Sequence, residues 1–250
     1  FEKDGKIVLM MPGPPNECVP MFRTYGLPYL QKRSGAHIVS HTVDIFGLGE
    51  STVDDMFAQE MNRMTNPSMA PYAKECDCLL KITAKATTVA EAEAMIAPVL
   101  EEVTQKLGDV VYGVDADCIE ESLIRLLEQN PHTFAAAESC TGGYTAKRCT
   151  DLPGASRFFK GGMTTYTNEA KARLLGIDPA LIEEKGAVSY EVAEAMAEAS
   201  RTLLGADIGI GVTGLAGPEG DGVHEVGTVF VSMAVEGKTY VRELHMGTYR

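Results

Sequence analysis

The sequence predicts an α/β protein: a three-layer α/β/α domain with a mixed sheet over residues 114–250, preceded by a small α+β unit over 34–113. Three observations predict it. Strand-like and helix-like runs alternate through the second half of the chain, as in a sheet with helices on its faces. The last two strand-like runs meet across Glu236-Gly237-Lys238, a hairpin that makes the sheet mixed. Residues 34–113 hold three strand-like runs and two helical ones, enough for a small sandwich.

In chain order, Lys6 to Met11 reads as a strand, Pro12-Gly13-Pro14-Pro15 as a turn, and a helix follows from Asn16 or Glu17. Residues 1–33 are too few to bury a core. They read as the tail of a larger domain or as a segment packed on the rest of the chain, and an opening on Phe1 rather than Met suggests a native N-terminus further upstream. His37 to Phe46 alternates like a strand, Gly47-Leu-Gly49 turns, and Ser51-Thr-Val-Asp54 is a helix start signal with Ser51 as cap. Asn66-Pro67 marks a turn and Leu79 to Ala84 a strand. Thr88 to Leu107 carries Val89, Ala92, Ile96, Val99, Leu100 and Val103 near one helical face, and Val110 to Tyr112 closes the unit. In the second half, helices are expected at 119–127, 144–149, 168–175 and 189–204. Strands are expected at 133–137, 162–166, 208–212, 228–235 and 239–246.

Composition narrows the function. The 250 residues carry 22 Lys+Arg against 35 Asp+Glu, a net charge of −13. That argues against a general nucleic-acid binder, which needs an electropositive face. No apolar run approaches the roughly 18 residues of a membrane span, and no basic segment leads into an apolar one as a signal peptide requires. Six cysteines are scattered at 18, 76, 78, 118, 140 and 149. Only Cys76 and Cys78 are close, with no second pair at zinc spacing, so reduced thiols in a cytoplasmic protein are expected, with no metal.

Most chemical templates fail. Gly209-Ile-Gly-Val-Thr-Gly214 spells G-x-G-x-x-G, but inside a strand and with no helix after it, so dinucleotide binding is not expected. Tyr166 and Lys171 are five apart, not the four that align on a helix. Tyr166 fits the strand end, and Lys171 sits one turn into the next helix. Three strand-to-helix or strand-to-loop junctions remain: Glu138-Ser-Cys-Thr-Gly-Gly143, Thr164-Thr-Tyr-Thr-Asn168 and Val212-Thr-Gly-Leu-Ala-Gly-Pro-Glu-Gly220. Loops at the carboxyl ends of strands in an open α/β sheet converge on the ligand crevice. Ser139, Tyr166, Lys171 and Thr213 are therefore expected to share a pocket. Taken singly, Ser139 also reads as a helix cap, Lys171 as a solvated side chain and Tyr166 as packing. Of the five histidines only His224 lies near a candidate loop.

Four ordered segments carry a family resemblance: Ala137-Glu-Ser-Cys-Thr-Gly-Gly143, Gly162-Met-Thr-Thr-Tyr-Thr-Asn-Glu-Ala-Lys171, Gly186-Ala-Val-Ser189 and Val212-Thr-Gly-Leu-Ala-Gly-Pro218. Together they resemble the CinA family, specifically its C-terminal nicotinamide mononucleotide (NMN) deamidase domain, over roughly 116–250. Residues 34–113 resemble that family's KH-like middle domain. Met11-Pro-Gly-Pro-Pro-Asn-Glu17 resembles the end of its N-terminal molybdopterin-binding-like domain, which is associated with metal-dependent ADP-ribose pyrophosphatase activity. The resemblance also implies a further helix past Arg250.

The resemblance implies an amidohydrolase that converts NMN to nicotinic acid mononucleotide and ammonia, without a cofactor, as a homodimer. It implies Ser139 as nucleophile, Lys171 as base, Tyr166 as an aid to proton transfer and Thr213 as a further catalytic pocket member. Substrate contacts are implied at Glu138, Thr141, Gly142, Gly143, Thr165, Asn168, Gly214, Ala216 and Gly217. For the substrate phosphate, the helix N-terminus after Gly143 and the basic residues Arg157 and Lys160 are candidates. A nucleic-acid-binding KH domain needs a G-x-x-G loop with basic flanks. Gly47-Leu-Gly-Glu50 is too short and acidic, so a scaffold or dimerisation role is expected of that unit. The rival reading is a catalytically silent nucleotide- or partner-binding protein linked to competence or DNA damage.

Overall fold

A computed structural model describes residues 1–74, 77–116 and 118–246. Cys76, one half of the C-x-C pair, lies outside the described residues. The chain divides into two compact units, Phe1–Ile119 and Glu120–Arg250.

The first unit opens with a two-residue hairpin, β1 (Glu2–Lys3) against β2 (Lys6–Ile7), turning at Asp4-Gly5 with both residues at positive φ. That turn corrects the expected strand over 6–11. Ladder pairing is limited by the few residues ahead of the turn, and Met10 is fully exposed. Helix α1 (Pro15–Met21) begins on Pro15, a residue whose fixed φ suits a first turn, and runs through a π-helical turn at Phe22–Gly26 into α2 (Leu27–Ser34).

Next come β3 (His37–Phe46), α3 (Glu50–Arg63), β4 (Ser68–Ala73), β5 (Asp77–Ala86), α4 (Val89–Leu107) and β6 (Val111–Val114). The four strands form one antiparallel sheet in the order β4-β5-β3-β6. Val43, Ile45, Leu80 and Ile82 of the sheet bury against Val53 and Phe57 of α3 and Ile96 and Val103 of α4. Thr88 caps α4 by accepting from the Glu91 N–H at 3.2 Å. Helix α3 starts two residues earlier than expected. Gly49 is its N-cap with no side-chain bond, and Ser51 lies inside the first turn.

The second unit contains α5 (Ile119–Gln129), β7 (Phe134–Glu138), α6 (Tyr144–Thr150), β8 (Phe159–Thr164), α7 (Asn168–Leu175), α8 (Pro179–Lys185), α9 (Tyr190–Leu203), β9 (Ile208–Gly214), β10 (Thr228–Val235) and β11 (Lys238–His245). The sheet order is β11-β10-β9-β7-β8. Strand β7 pairs in parallel with β8 and β9, while β10 is antiparallel to β9 and β11. Period-2 alternation sends β7 side chains to opposite faces. Phe134 and Ala136 pack under α5 and α6 with Leu127 and Cys149. Ala137 packs under α7, α8 and α9 with Leu175, Ile182, Val192 and Met196. Helices thus cover both faces of a mixed sheet, the three-layer arrangement the sequence predicts.

Gly209 and Gly211 settle the G-x-G-x-x-G question. A Cβ on Gly209 would stand 2.0 Å from the Ala197 carbonyl oxygen, and one on Gly211 would stand 2.5 Å from that of Ala193. These glycines let α9 lie directly on β9.

Candidate active site

The parallel register aligns the carboxyl ends of three strands. Glu138 of β7 pairs with Thr164 of β8 and with Val212 of β9. The chain then locks there: the Ser139 N–H donates to the Val212 carbonyl at 2.9 Å, and the Thr165 N–H donates to the Glu138 carbonyl at 2.7 Å. Ser139 is buried at the first position past β7.

Lys171 reaches the same point from α7. Thr167 caps that helix by accepting from the Ala170 N–H at 3.1 Å, which fixes where its first turn begins. Lys171 is 1% exposed. Its Nζ donates to Ser139 Oγ at 2.9 Å and to the Thr165 carbonyl at 3.0 Å. Among the described residues no carboxylate pairs with it. Burial pushes the amine's pKa below the ordinary lysine value, and the nearby Cys140 thiol opposes this only in part. An unpaired buried ammonium is costly, so the enclosure weakens the amine's hold on its third proton. Burial also raises the Cys140 thiol pKa, which disfavours its thiolate.

Thr165 is fully buried, and its Oγ1 has no hydrogen-bond partner; the Thr141 Oγ1 is likewise buried without one. Gly142 and Gly143 both take positive φ, 63° and 97°, and shape the turn between Ser139 and α6. Gly142 also donates its N–H back to the Ser139 carbonyl at 3.1 Å. Asn168 is exposed on the first turn of α7. Gly214, Ala216 and Gly217 are half-buried where β9 gives way to its loop.

Several expectations need correction. Tyr166 lies two residues beyond the end of β8 and is 59% exposed, so it belongs to the loop and not to the strand. Thr213 is fully buried, and its hydroxyl donates to the Ala187 carbonyl at 2.7 Å. It ties the Gly186–Ser189 segment to β9. Glu138 does not face a ligand crevice. Its carboxylate accepts from the Thr145 N–H at 3.0 Å and the Ala146 N–H at 2.9 Å. These are first-turn donors of α6, so the helix end proposed for the phosphate is occupied by a carboxylate of the chain itself. Arg157 and Lys160 flank the amino end of β8, the opposite end of the parallel strands from Ser139. Arg157 pairs there with Glu128 at 3.1 Å. His224 is held within its own loop: its ring bonds Asp221 at 3.0 Å and stands edge-on to Phe230. Burial pushes the Asp221 carboxyl up, but bonds from the His224 N–H and ring and from the Val223 N–H hold it at about 2.

The sequence reading missed the Thr165 carbonyl as a partner of Lys171. No side-chain motif marks such a contact. The Glu138 cap did have a signal, a carboxylate six residues ahead of a short helix, but one hidden by the intervening glycine turn. Among the described residues there is no cluster of three or more His, Cys, Asp or Glu that could hold a metal ion. Nor is any helix among them long and apolar enough to cross a membrane.

Comparison with known proteins follows the same division. The profile of the CinA C-terminal domain matches residues 116–250, and that of the damage-inducible protein CinA KH domain matches 40–113. A CinA-like protein of Dictyoglomus thermophilum is 42% identical over 247 residues, covering 98% of this chain and 60% of that protein. One from Desulfovibrio desulfuricans is 44% identical over 244 residues, covering 97% and 57%. Among solved structures, the competence damage-inducible protein A of Klebsiella pneumoniae superposes with a TM-score of 0.51 at 30% identity, covering 52% of this chain and 81% of that one. A CinA superfamily protein from Escherichia coli gives the same TM-score and identity, covering 52% and 76%. The chain spans about 60% of the length of the Dictyoglomus relative. It belongs to the CinA family, with that family's KH and C-terminal domains in sequence.

Proposed function

We propose that the 120–250 unit is a serine–lysine amidohydrolase acting on the carboxamide of NMN, giving nicotinic acid mononucleotide and ammonia. The observation that carries this reading is the 2.9 Å contact between Lys171 Nζ and Ser139 Oγ, buried and without a carboxylate counter-ion among the described residues. A neutral amine has two N–H bonds and one lone pair. The Thr165 carbonyl can only accept, so it takes an N–H and leaves the lone pair for the Ser139 hydroxyl. In that state the 2.9 Å contact runs from Oγ–H to Nζ, the arrangement that activates a weak nucleophile.

In the proposed sequence, Ser139 Oγ attacks the carboxamide carbon while its proton passes to Lys171. The carbonyl π pair moves to oxygen, giving a tetrahedral oxyanion. Collapse breaks the C–N bond, and Lys171 returns the proton to the departing nitrogen, which leaves as ammonia. Water then attacks the Ser139 ester, with Lys171 taking its proton and returning it to Oγ. Backbone donors aimed at the oxyanion are worth roughly 2.7–4 kcal/mol each. The Ser139 and Gly142 N–H groups are already given to carbonyls, so the donors of this reading come from elsewhere in the 139–143 turn and the loop after β9. Exposed Tyr166 fits a role at the mouth of the site, on the substrate side. Cytoplasmic location, a homodimer and the assignment of residues 1–33 to a preceding domain belong to the same reading.

The amide substrate rests on the resemblance; the Ser–Lys chemistry rests on the geometry. A coupled assay for ammonia release from NMN, run with wild type and Ser139→Ala, tests both. Release by wild type and none by the variant supports the reading. No release by wild type favours the silent binding protein, and equal release by both removes Ser139 as nucleophile.

A further inference from the structure

Glu138 immediately precedes Ser139, and the alternation of β7 places the two side chains on opposite faces of the sheet. Its carboxylate is 1% exposed. Both oxygens are used: Oε2 accepts from Thr145 N–H at 3.0 Å, and Oε1 from Ala146 N–H at 2.9 Å. Among the described residues no Lys, Arg or His forms an ion pair with it. The residue is pinned in the backbone as well, because its carbonyl accepts from Thr165 N–H at 2.7 Å.

The side chain therefore closes a ring. It runs from residue 138 through Ser139, Cys140, Thr141 and the two left-handed glycines to residues 145 and 146, and returns through the carboxylate. Two internal bonds brace it: Gly142 N–H to Ser139 carbonyl at 3.1 Å and Tyr144 N–H to Thr141 carbonyl at 3.1 Å. Gly142 and Gly143 adopt positive φ at little intrinsic cost, so the turn sequence by itself holds its shape weakly. The stiffness comes from the clamp. Across the sheet, the Ser139 hydroxyl must stay within hydrogen-bond reach of an amine anchored on another element, α7.

We propose that Glu138 is a positioning residue for Ser139: its buried carboxylate clamps the start of α6 and so fixes the nucleophile turn against Lys171, without touching substrate. The inference rests on Ser139 being the nucleophile and assigns Glu138 a role other than substrate contact. It makes a different demand on kinetics from a binding role. Loss of the clamp slows attack and leaves substrate affinity alone.

The test uses the full chain with Glu138→Gln, Glu138→Asp and Glu138→Leu. Glutamine keeps one acceptor but turns an N–H₂ toward the other backbone N–H. Aspartate keeps the charge but is shorter by one methylene, so it cannot reach both donors. Leucine removes both acceptors. Two rates are read: kcat and KM for NMN, and the rate at which a fluorophosphonate probe labels Ser139, with circular dichroism to score folding. The expected result is a fall in both kcat and labelling of about tenfold or more in the Gln and Asp variants. The loss should be larger in Leu, with KM within about threefold of wild type. The pH midpoint of labelling should stay where Lys171 sets it, since Glu138 is not among the groups that shift that amine. Wild-type kcat and labelling in a folded Gln or Asp variant overturns the proposal. So does a rise in KM at unchanged kcat, which would make Glu138 a substrate contact. If Leu does not fold, the Gln and Asp variants decide. A wild-type protein that labels at Ser139 but releases no ammonia overturns the NMN reading while the labelling rates still judge Glu138. One that does neither overturns both.

Discussion

Lys171 Nζ lies 2.9 Å from Ser139 Oγ although the two residues are 32 positions apart, and no strand contains either of them. Two separate devices bring them together. Parallel pairing of β7 and β8 puts Glu138 beside Thr164, so the residues that follow emerge at one end of the sheet. The Thr167 cap then starts α7 at once, and its first turn swings residue 171 back over the strand ends. The amine ends fully enclosed with two polar partners and, among the described residues, no carboxylate to balance it. A protein has no stability reason to place a lysine so, and sites of this kind are where function overrides folding economy.

If Lys171 serves Ser139 as general base, removing it should cost about 10²–10⁴-fold in the rate of ammonia release. Ser139→Ala should abolish turnover to the same floor. Because the two act on one step, Ser139→Ala with Lys171→Ala should be hardly worse than either alone. Lys171→Arg should not rescue, since a guanidinium does not deprotonate near neutral pH. Steady-state rates on the four variants check this, and an Arg variant as fast as wild type would remove the base assignment.

Stability should move the other way from activity. The folded amine titrates below its unfolded value, so between those two pKa values the unfolded chain binds more protons than the folded one. Stability therefore rises with pH across that window and is lost as pH falls through the folded value. Lys171→Met keeps most of the volume without the charge. Urea unfolding at neutral pH should show it more stable than wild type, by about 1 kcal/mol or more, with a flatter dependence on pH. A less stable Met variant would mean that the two polar contacts outweigh the burial of the amine.

The first unit carries the opposite sign. His41 of β3 is bonded to Asp115 at 2.5 Å and to Glu93 of α4 at 2.8 Å. The Asp115 bond first and the Glu93 bond second raise its pKa above the ordinary 6.5. Asp115 is held below its ordinary 3.8 by His41 and Thr42, against the push of its own burial. The imidazolium's contribution is thus complete below about pH 6.5 and disappears as pH rises through the raised value. The carboxylates are half-exposed, so screening limits it to about 1 kcal/mol or less. Asp115 sits at φ 53°, which asparagine tolerates, so Asp115→Asn removes the charge without straining the backbone. Melting temperatures from pH 5 to 9 should fall less in Asp115→Asn than in wild type, and parallel curves would refute the linkage.

What was legible in the sequence follows from how local each signal is. The alternation of His37–Phe46 and the helical runs 88–107, 168–175 and 189–204 are read within a few residues, and the structure has β3, α4, α7 and α9 at those places. Strand β4 escaped because Ser68–Ala73 contains Pro71 and small residues; as an edge strand it tolerates a proline that a central one would not. Helix α8 escaped through its seven-residue length, although Asp178 followed by Pro179 spells a start signal. At the site, the meeting of 139 with 171 follows from sheet topology and was legible. The partners of Glu138 are backbone groups across a turn and that of Thr213 is a carbonyl 26 residues away, and no residue type announces those.

The same non-local logic makes the β9 glycines a sharp test. Side chains on Gly209 and Gly211 would have to enter the space where α9 rests, with the Ala197 and Ala193 carbonyls at 2.0 and 2.5 Å. The opposing atoms are helix backbone and cannot rotate away. Ser232 Oγ, 2.5 Å from the Gly211 position, is also fixed, donating to the Ala193 and Gly211 carbonyls. Either glycine-to-alanine change must therefore push α9 off the sheet, and overpacking of this kind costs about 3 kcal/mol. The shift should reach the site, because α9 is capped by Ser189, next to the segment that Thr213 holds, and packs with α7, which carries Lys171. Gly176→Ala is the matched control. Gly176 has φ 69° with open space around it, so alanine there pays only for backbone conformation, about 1 kcal/mol. Urea midpoints should rank wild type above Gly176→Ala, and that above Gly211→Ala, with ammonia release from NMN lost only in the last. Equal midpoints for the two variants would mean that α9 is not seated on β9 as closely as these distances require.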